Sequence, residues 1–436
     1  MEPPAAPVGS GAGMLDVLPP ELLQDVSERL HPYEFKSWRL SAPRALAAFD
    51  ASNTSLRLGP AAPSSAAVLR MVRRTPRLAT LRVDAWDARF DWRAALSAAA
   101  GSLRDLDVSG SPDLSDVAAC PALERLCIRQ LKPDTADLSQ LASCTALRRL
   151  TIHSTRECRI RDLAPLAAFT ALEHLCLRFT SDVADLSPLA ACTALRSLDV
   201  SRSAVETLAP LAACPALEDV TMDRCELLRD LRGLGPALKR LVVASCAASD
   251  LAPLSACTAL ESLDMTSCPN LGDLAPLACC TALLRLDATI CPVADLAPLA
   301  ACTALAHLEV SNCPVADLAP LACCTALTHL EMNSCVNVRN LAPLVACTAL
   351  QNLCIDNCRV RSLAPLAACT ALKILEIGYC PVRDLAPLAA CTALEFLGVE
   401  GCDELSPDCI DRFKWRHSWC EVRPDNDPYG EGDDDQ

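Results

Sequence analysis

The side chains in this sequence with most scope for chemistry are its sulfurs, 28 cysteines in 436 residues. Nine occupy one recurring position, Cys225, Cys246, Cys268, Cys291, Cys313, Cys335, Cys358, Cys380 and Cys402. Eleven more, running from Cys120 and Cys144 through Cys192 and Cys257 to Cys391, each precede Thr-Ala-Leu or Pro-Ala-Leu. Thiols at a fixed interval can form a metal or redox ladder, or can serve as small buried hydrophobes in tight turns. Burial is the expectation here, because parallel side-chain vectors on stacked units are the wrong geometry for bridging. No CxxC occurs, so zinc-ribbon and thioredoxin patterns have no support. The six His are dispersed and GxxxxGK, GxGxxG, GxSxG and HExxH are all missing, which argues against an enzyme and against a cofactor. Asp425, Asp427, Gly430 and Asp433 mimic part of a calcium loop, but Tyr429 and Gln436 fall on ligand positions. The segment reads as a solvated acidic tail, and no metal site is expected.

The composition is 51% hydrophobic but only 3% aromatic, so the apolar content is Leu, Ala, Val and Cys. A formal charge of -15 leaves no basic stripe for a nucleic-acid backbone or an acidic membrane. Residues 1–13 lack both Lys/Arg and a continuous apolar run, and read as a flexible leader rather than a secretory signal. Later apolar runs are cut by Pro, Thr and charge, well short of the roughly 18 residues a membrane span needs. A soluble protein of the cytoplasm or nucleus follows as the expectation, and so the cysteines are not read as a secreted disulfide framework.

What positions these residues is repetition. From Leu78 a pattern LxxLxL recurs fifteen times, its starts mostly 22 or 23 residues apart, with LAHLEVSNCPVADLAPLACCTA, residues 305–326, the most regular unit. In xLxLx the two Leu face one way and their neighbours the other, so each unit offers a short strand with one apolar face. One unit cannot bury that face alone; stacking joins the Leu columns into a continuous core with parallel strands along a concave wall. The LAPL segment then turns the chain back, since Pro165, Pro298 and their equivalents favour the start of a helical turn. Asp295 and Asp317, three residues before such a Pro, are placed to accept a backbone N–H in an Asx turn.

The pattern resembles the leucine-rich repeat, in the 22-residue class found in internalins and in a regulatory subunit of protein phosphatase, here in a Cys-rich variant. The resemblance covers about residues 78–402 and implies a leucine-rich repeat solenoid, with short parallel strands on the concave face and short helical turns on the convex face. A solenoid of residues 51–402 is expected, with Leu56–Leu58 as a degenerate first strand and Ser64–Arg74 as its helix.

Both ends depart from the repeat, as terminal caps must. Between residues 14 and 50, Leu15, Leu18, Leu22, Val26 and Leu30 recur at helical spacing behind Pro19 and Pro20. Leu18-Pro19-Pro20-Glu21-Leu22-Leu23 resembles the opening of the F-box, and Glu34-Phe35 and Leu40-Ser41 stand where later pairs belong. The Trp of the last motif is replaced near Pro43-Arg44. The resemblance implies a substrate-recruiting adaptor, in which Leu18, Pro19, Leu22, Leu23, Val26 and Phe35 dock on the linker subunit of a cullin-RING ubiquitin ligase. The competing expectation is a helical cap over the first Leu layer of a scaffold or phosphatase-regulator-like solenoid with no ubiquitin role. At the other end residues 403–424, with Phe413, Trp415 and Trp419, are read as a helix and a last strand closing the stack, before the tail of 425–436.

Function in such a scaffold falls to outward strand positions. Arg129, Arg149 and Arg178 are among the members of a basic patch on the early units. Asp264, Asp287, Glu309, Glu331 and Glu376 occupy the central outward position of later units, an acidic stripe suited to a client protein. Like charges on neighbouring strands repel, and Arg285, His307 and His329, two residues earlier, are expected to offset part of that, the alternative to a client site being a solvated, self-compensated face. Ile374, Tyr379 and Phe396 are expected to add apolar surface to the same wall, with packing beneath the C-terminal cap as the alternative.

Overall fold

The computed structural model describes residues 54–58, 65–84, 91–110, 112–131, 137–154 and 160–423. The leader, the F-box-like stretch with Leu18, Pro19, Leu22, Leu23, Val26 and Phe35, and the acidic tail lie outside the described residues. The chain forms two compact units that meet in sequence at Leu172 and Glu173.

In the first unit β1 (Ser55–Leu58), β2 (Thr80–Val83), β3 (Asp105–Val108), β4 (Arg125–Leu131) and β5 (Arg149–Ser154) pair in parallel and in chain order. The expected degenerate first strand is therefore present, Leu56 standing opposite Leu81. The return segments here are helices α1 (Ser65–Arg74), α2 (Trp92–Ala99) and α3 (Leu114–Val117), followed by 3₁₀ turns at Leu138–Leu141 and Ala164–Ala168. Asp91 caps α2 by accepting the Ala94 N–H at 3.0 Å, and Trp92 fills the core beneath it.

The second unit continues with β6 (His174–Arg178), β7 (Ser197–Asp199), β8 (Asp219–Thr221), β9 (Arg240–Val242), β10 (Ser262–Asp264) and β11 (Arg285–Asp287). It ends with β12 (His307–Glu309), β13 (His329–Glu331), β14 (Asn352–Cys354), β15 (Ile374–Glu376), β16 (Phe396–Gly398) and β17 (Glu421–Arg423). Each is parallel to the next, with Leu opposite Leu along Leu263, Leu286, Leu308, Leu330, Leu353 and Leu375. These Leu are buried to within 1%. A three-residue strand leaves both flanks to the central Leu, and only a stack of such rungs removes it from water.

The Pro in each LAPL segment sits in the first turn of a five-residue 3₁₀ helix, as at Ala297–Ala301 and Ala319–Cys323, where its missing N–H is no loss. Asp295 and Asp317 accept the N–H of Ala297 and Ala319 at 2.8 Å, the Asx turn their spacing predicts. Between strand and turn cysteine the backbone takes a left-handed residue on successive rungs, among them Ile290, Asn312, Ser334, Asn357 and Tyr379. Its amide reaches the next rung, as Ile290 N to Ser311 O at 2.8 Å, so lateral bonding holds a conformation that costs most for a β-branched side chain.

Both cysteine columns are buried, and cysteines among the described residues are free thiols. Thiols of both columns donate back to a carbonyl of the preceding rung: Cys291 Sγ to Met265 O at 3.0 Å and Cys313 Sγ to Ala288 O at 3.1 Å in one column, Cys302 Sγ to Leu277 O at 3.5 Å and Cys391 Sγ to Leu366 O at 3.3 Å in the other. Burial pushes Cys291 up to about 12 and Cys347 up to about 11, so they remain protonated S–H donors.

The C-terminal closure is helix α4 (Pro407–Arg416), capped by Ser406, and then β17. Phe413 is buried against the stack, but Trp415 and Trp419 are 82% and 56% exposed. Only the first of the three aromatics expected in the cap thus closes the core.

Candidate functional site

The central outward positions of the second unit form one column, because a parallel register without slippage puts the same repeat position side by side on every rung. Asp264 lies beside Asp287, Asp287 beside Glu309, Glu309 beside Glu331, and Cys354 then separates Glu331 from Glu376. Strand spacing is about 4.8 Å, so four carboxylates stand within repulsive reach of one another. Asp264 and Asp287 turn into the following bend, accepting the N–H of Thr266 at 3.0 Å and of Thr289 at 2.9 Å. Glu309 lacks that escape. Burial, then the charges of Asp287 and Glu331, then hydrogen bonding to the Asp287 side chain raise its pKa to about 7.

The cations expected to offset this charge do not close on it. Among the described residues no ion pair joins Arg285, His307 or His329 to the column. His307 and His329 instead stack on each other, centroids 4.2 Å apart, and Thr328 Oγ1 lies 2.8 Å from His329 Nδ1. Burial, Arg285 and His329 together lower the pKa of His307, favouring its neutral ring. Cys354 is buried in the column's gap, its pKa raised by burial and by Glu376 and Glu331.

The apolar neighbours divide. Ile374 and Phe396 are opposite each other on β15 and β16, half-buried, with Arg423 5.2 Å above the Phe396 ring. Tyr379 is not on the strand. It occupies the left-handed turn position, its ring lies over Gly401 and its hydroxyl donates to Glu400. It therefore belongs to the edge of the rung, five residues past Ile374.

The basic patch is resolved differently from its expectation. In the first unit Arg129 reaches Asp107 at 2.6 Å, while Arg149 is exposed. In the second unit Arg178 reaches Asp199 at 2.6 Å. Two of the three thus have a carboxylate partner on a neighbouring strand, an arrangement legible only after the register is known. Among the described residues no group of three or more His, Cys, Asp or Glu is placed to hold a metal ion, and no described helix is long and apolar enough to cross a membrane.

Short parallel strands, 3₁₀ returns and continuous Leu columns define the leucine-rich repeat class, and the comparisons agree. Solved structures with a similar fold include an internalin from Listeria monocytogenes, at 21% identity over 72% of this chain and 87% of that one, TM-score 0.57. A leucine-rich repeat protein of Leptospira interrogans is similar at 13% identity over 87% and 92%, TM-score 0.61. The functional domain of InlJ from Listeria monocytogenes, which includes a cysteine ladder, is similar at 16% identity over 81% and 69%, TM-score 0.53. No family model matches the chain, and no curated protein does.

Proposed function

We propose that this chain is a non-catalytic protein-binding adaptor whose acidic column, Asp264 to Glu376, receives a basic segment of a client protein. The observation that carries this reading is the register that sets Asp264, Asp287, Glu309 and Glu331 side by side on successive strands, with no ion pair closing on them among the described residues; the raised pKa of Glu309 agrees with it. A Lys or Arg laid across β11 to β13 supplies the missing charge, and Ile374 and Phe396 offer a half-buried apolar anchor farther along. Arg149 is the basic-patch residue that stands exposed, available to an acidic part of a client.

The F-box resemblance of Leu18-Pro19-Pro20-Glu21-Leu22-Leu23 supports the finer assignment, a substrate-recruiting subunit of a cullin-RING ubiquitin ligase acting in the cytoplasm or nucleus. Leu18, Pro19, Leu22, Leu23, Val26 and Phe35 are the proposed contacts to the linker subunit. The test has two arms on the full chain. Purified linker subunit is expected to be retained by the wild type and lost with Leu22→Ala plus Pro19→Ala. A capped peptide of alternating Lys and Ala is expected to bind the wild type and to lose about tenfold in affinity with Glu309→Lys plus Glu331→Lys. Loss of the first arm alone leaves a leucine-rich repeat scaffold without a ligase role; peptide binding unchanged by charge reversal removes the acidic column as the client site.

A further inference from the structure

The edge of the second unit carries charge of the opposite sign at one place. Most rungs hold a carboxylate at the Asx position before the 3₁₀ helix, including Asp273, Asp295, Asp317 and Asp384. On two consecutive rungs that position is Asn340 and Ser362, which still accept the turn's hydrogen bond, from Ala342 N at 2.9 Å and Ala364 N at 3.3 Å. The turn is conserved in shape between these rungs and their neighbours while its negative charge is deleted. Thr207 is a third neutral substitute, but there the preceding residue is Glu206; before Asn340 and Ser362 it is Arg339 and Arg361. Arg359 joins them, and the three Arg line one open cavity of about 480 Å³ with Pro381. All three Arg are exposed, and none is ion-paired among the described residues, whereas Arg383 on the next rung is paired with Glu404.

We propose that Arg339, Arg359 and Arg361 bind the phosphate monoester of a phosphorylated serine or threonine on a peptide segment. A phosphate monoester brings a charge of about -1.5 to -2 and three acceptor oxygens, which suits three arginines on one cavity better than one planar carboxylate does. The lining has no aromatic ring on which a nucleobase would stack. Pro381 gives an apolar rest for a peptide backbone instead. The inference is independent of the acidic column, because the two sites take ligands of opposite charge.

The test is calorimetric titration of the full chain at low ionic strength with capped Gly-Gly-phosphoserine-Gly-Gly, its Ser and Glu forms, and inorganic phosphate. The phosphopeptide is expected to bind at one saturable site, the Glu form and inorganic phosphate about tenfold more weakly and the Ser form not at all. Arg359→Ala plus Arg361→Ala should abolish binding. Asn340→Asp plus Ser362→Asp restores the carboxylates that neighbouring rungs carry, keeps every Arg, and should weaken binding about tenfold without changing the melting temperature. No saturable binding, equal binding by either double variant, a Glu peptide as tight as the phosphopeptide, or inorganic phosphate as tight as the phosphopeptide would each overturn the assignment.

Discussion

Replacing Glu309 by Gln should stabilise the protein, and by an amount that depends on pH. The carboxyl lies between Asp287 and Glu331, with its pKa raised from 4.5 to about 7. A group whose pKa is higher in the folded state binds more protons there than when unfolded, so stability falls as pH rises from about 4.5 to 7. At about 1.4 kcal/mol per tenfold, the displacement sets an upper limit near 3 kcal/mol. Glu309 is partly open to solvent, and screening reduces that to roughly 1 to 2 kcal/mol. Gln keeps a donor for the bond to Asp287 and cannot ionise, so Glu309→Gln should gain about 1 to 2 kcal/mol at pH 8 and almost nothing at pH 4.5. Urea unfolding of both proteins at the two pH values measures the difference, provided the m-values agree. An equal gain at both pH values, or a loss at pH 8, would refute the account of a repelled carboxyl.

The thiol columns should resist a thiol dye in the native protein, with exposed Cys279 and Cys323 labelled first and the rest only on unfolding. Because burial raises their pKa, unfolded thiols ionise first, and stability should fall steeply as pH rises above about 9, read from urea midpoints on the alkaline side. Ile290→Asn relieves a β-branched residue held at a φ of 59° and should stabilise by about 1 kcal/mol in the same assay; no gain would mean the lateral bond to Ser311 removes the strain. Leu286→Ala opens a cavity in the Leu column and should cost roughly 2 to 5 kcal/mol, whereas Glu331→Gln, at an exposed position, should change stability by less than about 0.5 kcal/mol.

What the sequence made legible is what a single rung determines by itself. The alternating Leu, the Pro that starts the return and the Asp two residues before the amide it accepts are all local signals, and Leu286, Pro298 and Asp295 stand where those signals place them. Residues whose roles depend on the next rung were less accessible. Arg178 finds Asp199, and His307 stacks on His329 rather than turning to Glu309, because partners 21 and 22 residues away become neighbours only through the register. Tyr379 was read as part of the strand wall since nothing in the sequence marks a left-handed tyrosine; its place one residue before Cys380, equivalent to Asn312 before Cys313, is the signal that identifies the turn. The neutral Asn340 and Ser362 were equally visible as departures from the Asp column, but they acquire meaning only once Arg339, Arg359 and Arg361 are seen to share a cavity.

The most direct measurement of the proposed client site is proton release on binding. Titrating the full chain at pH 7 with the Lys-Ala peptide in two buffers of different ionisation enthalpy counts the protons exchanged. With Glu309 about half protonated at that pH, a cation that binds the charged column should expel up to about 0.5 proton per site. That release should vanish in Glu309→Gln, and affinity for the wild type should rise from pH 6 to pH 8. Proton-neutral binding, with an affinity that neither pH nor Glu309→Gln alters, would contradict the assignment of the acidic column as the surface that holds the client.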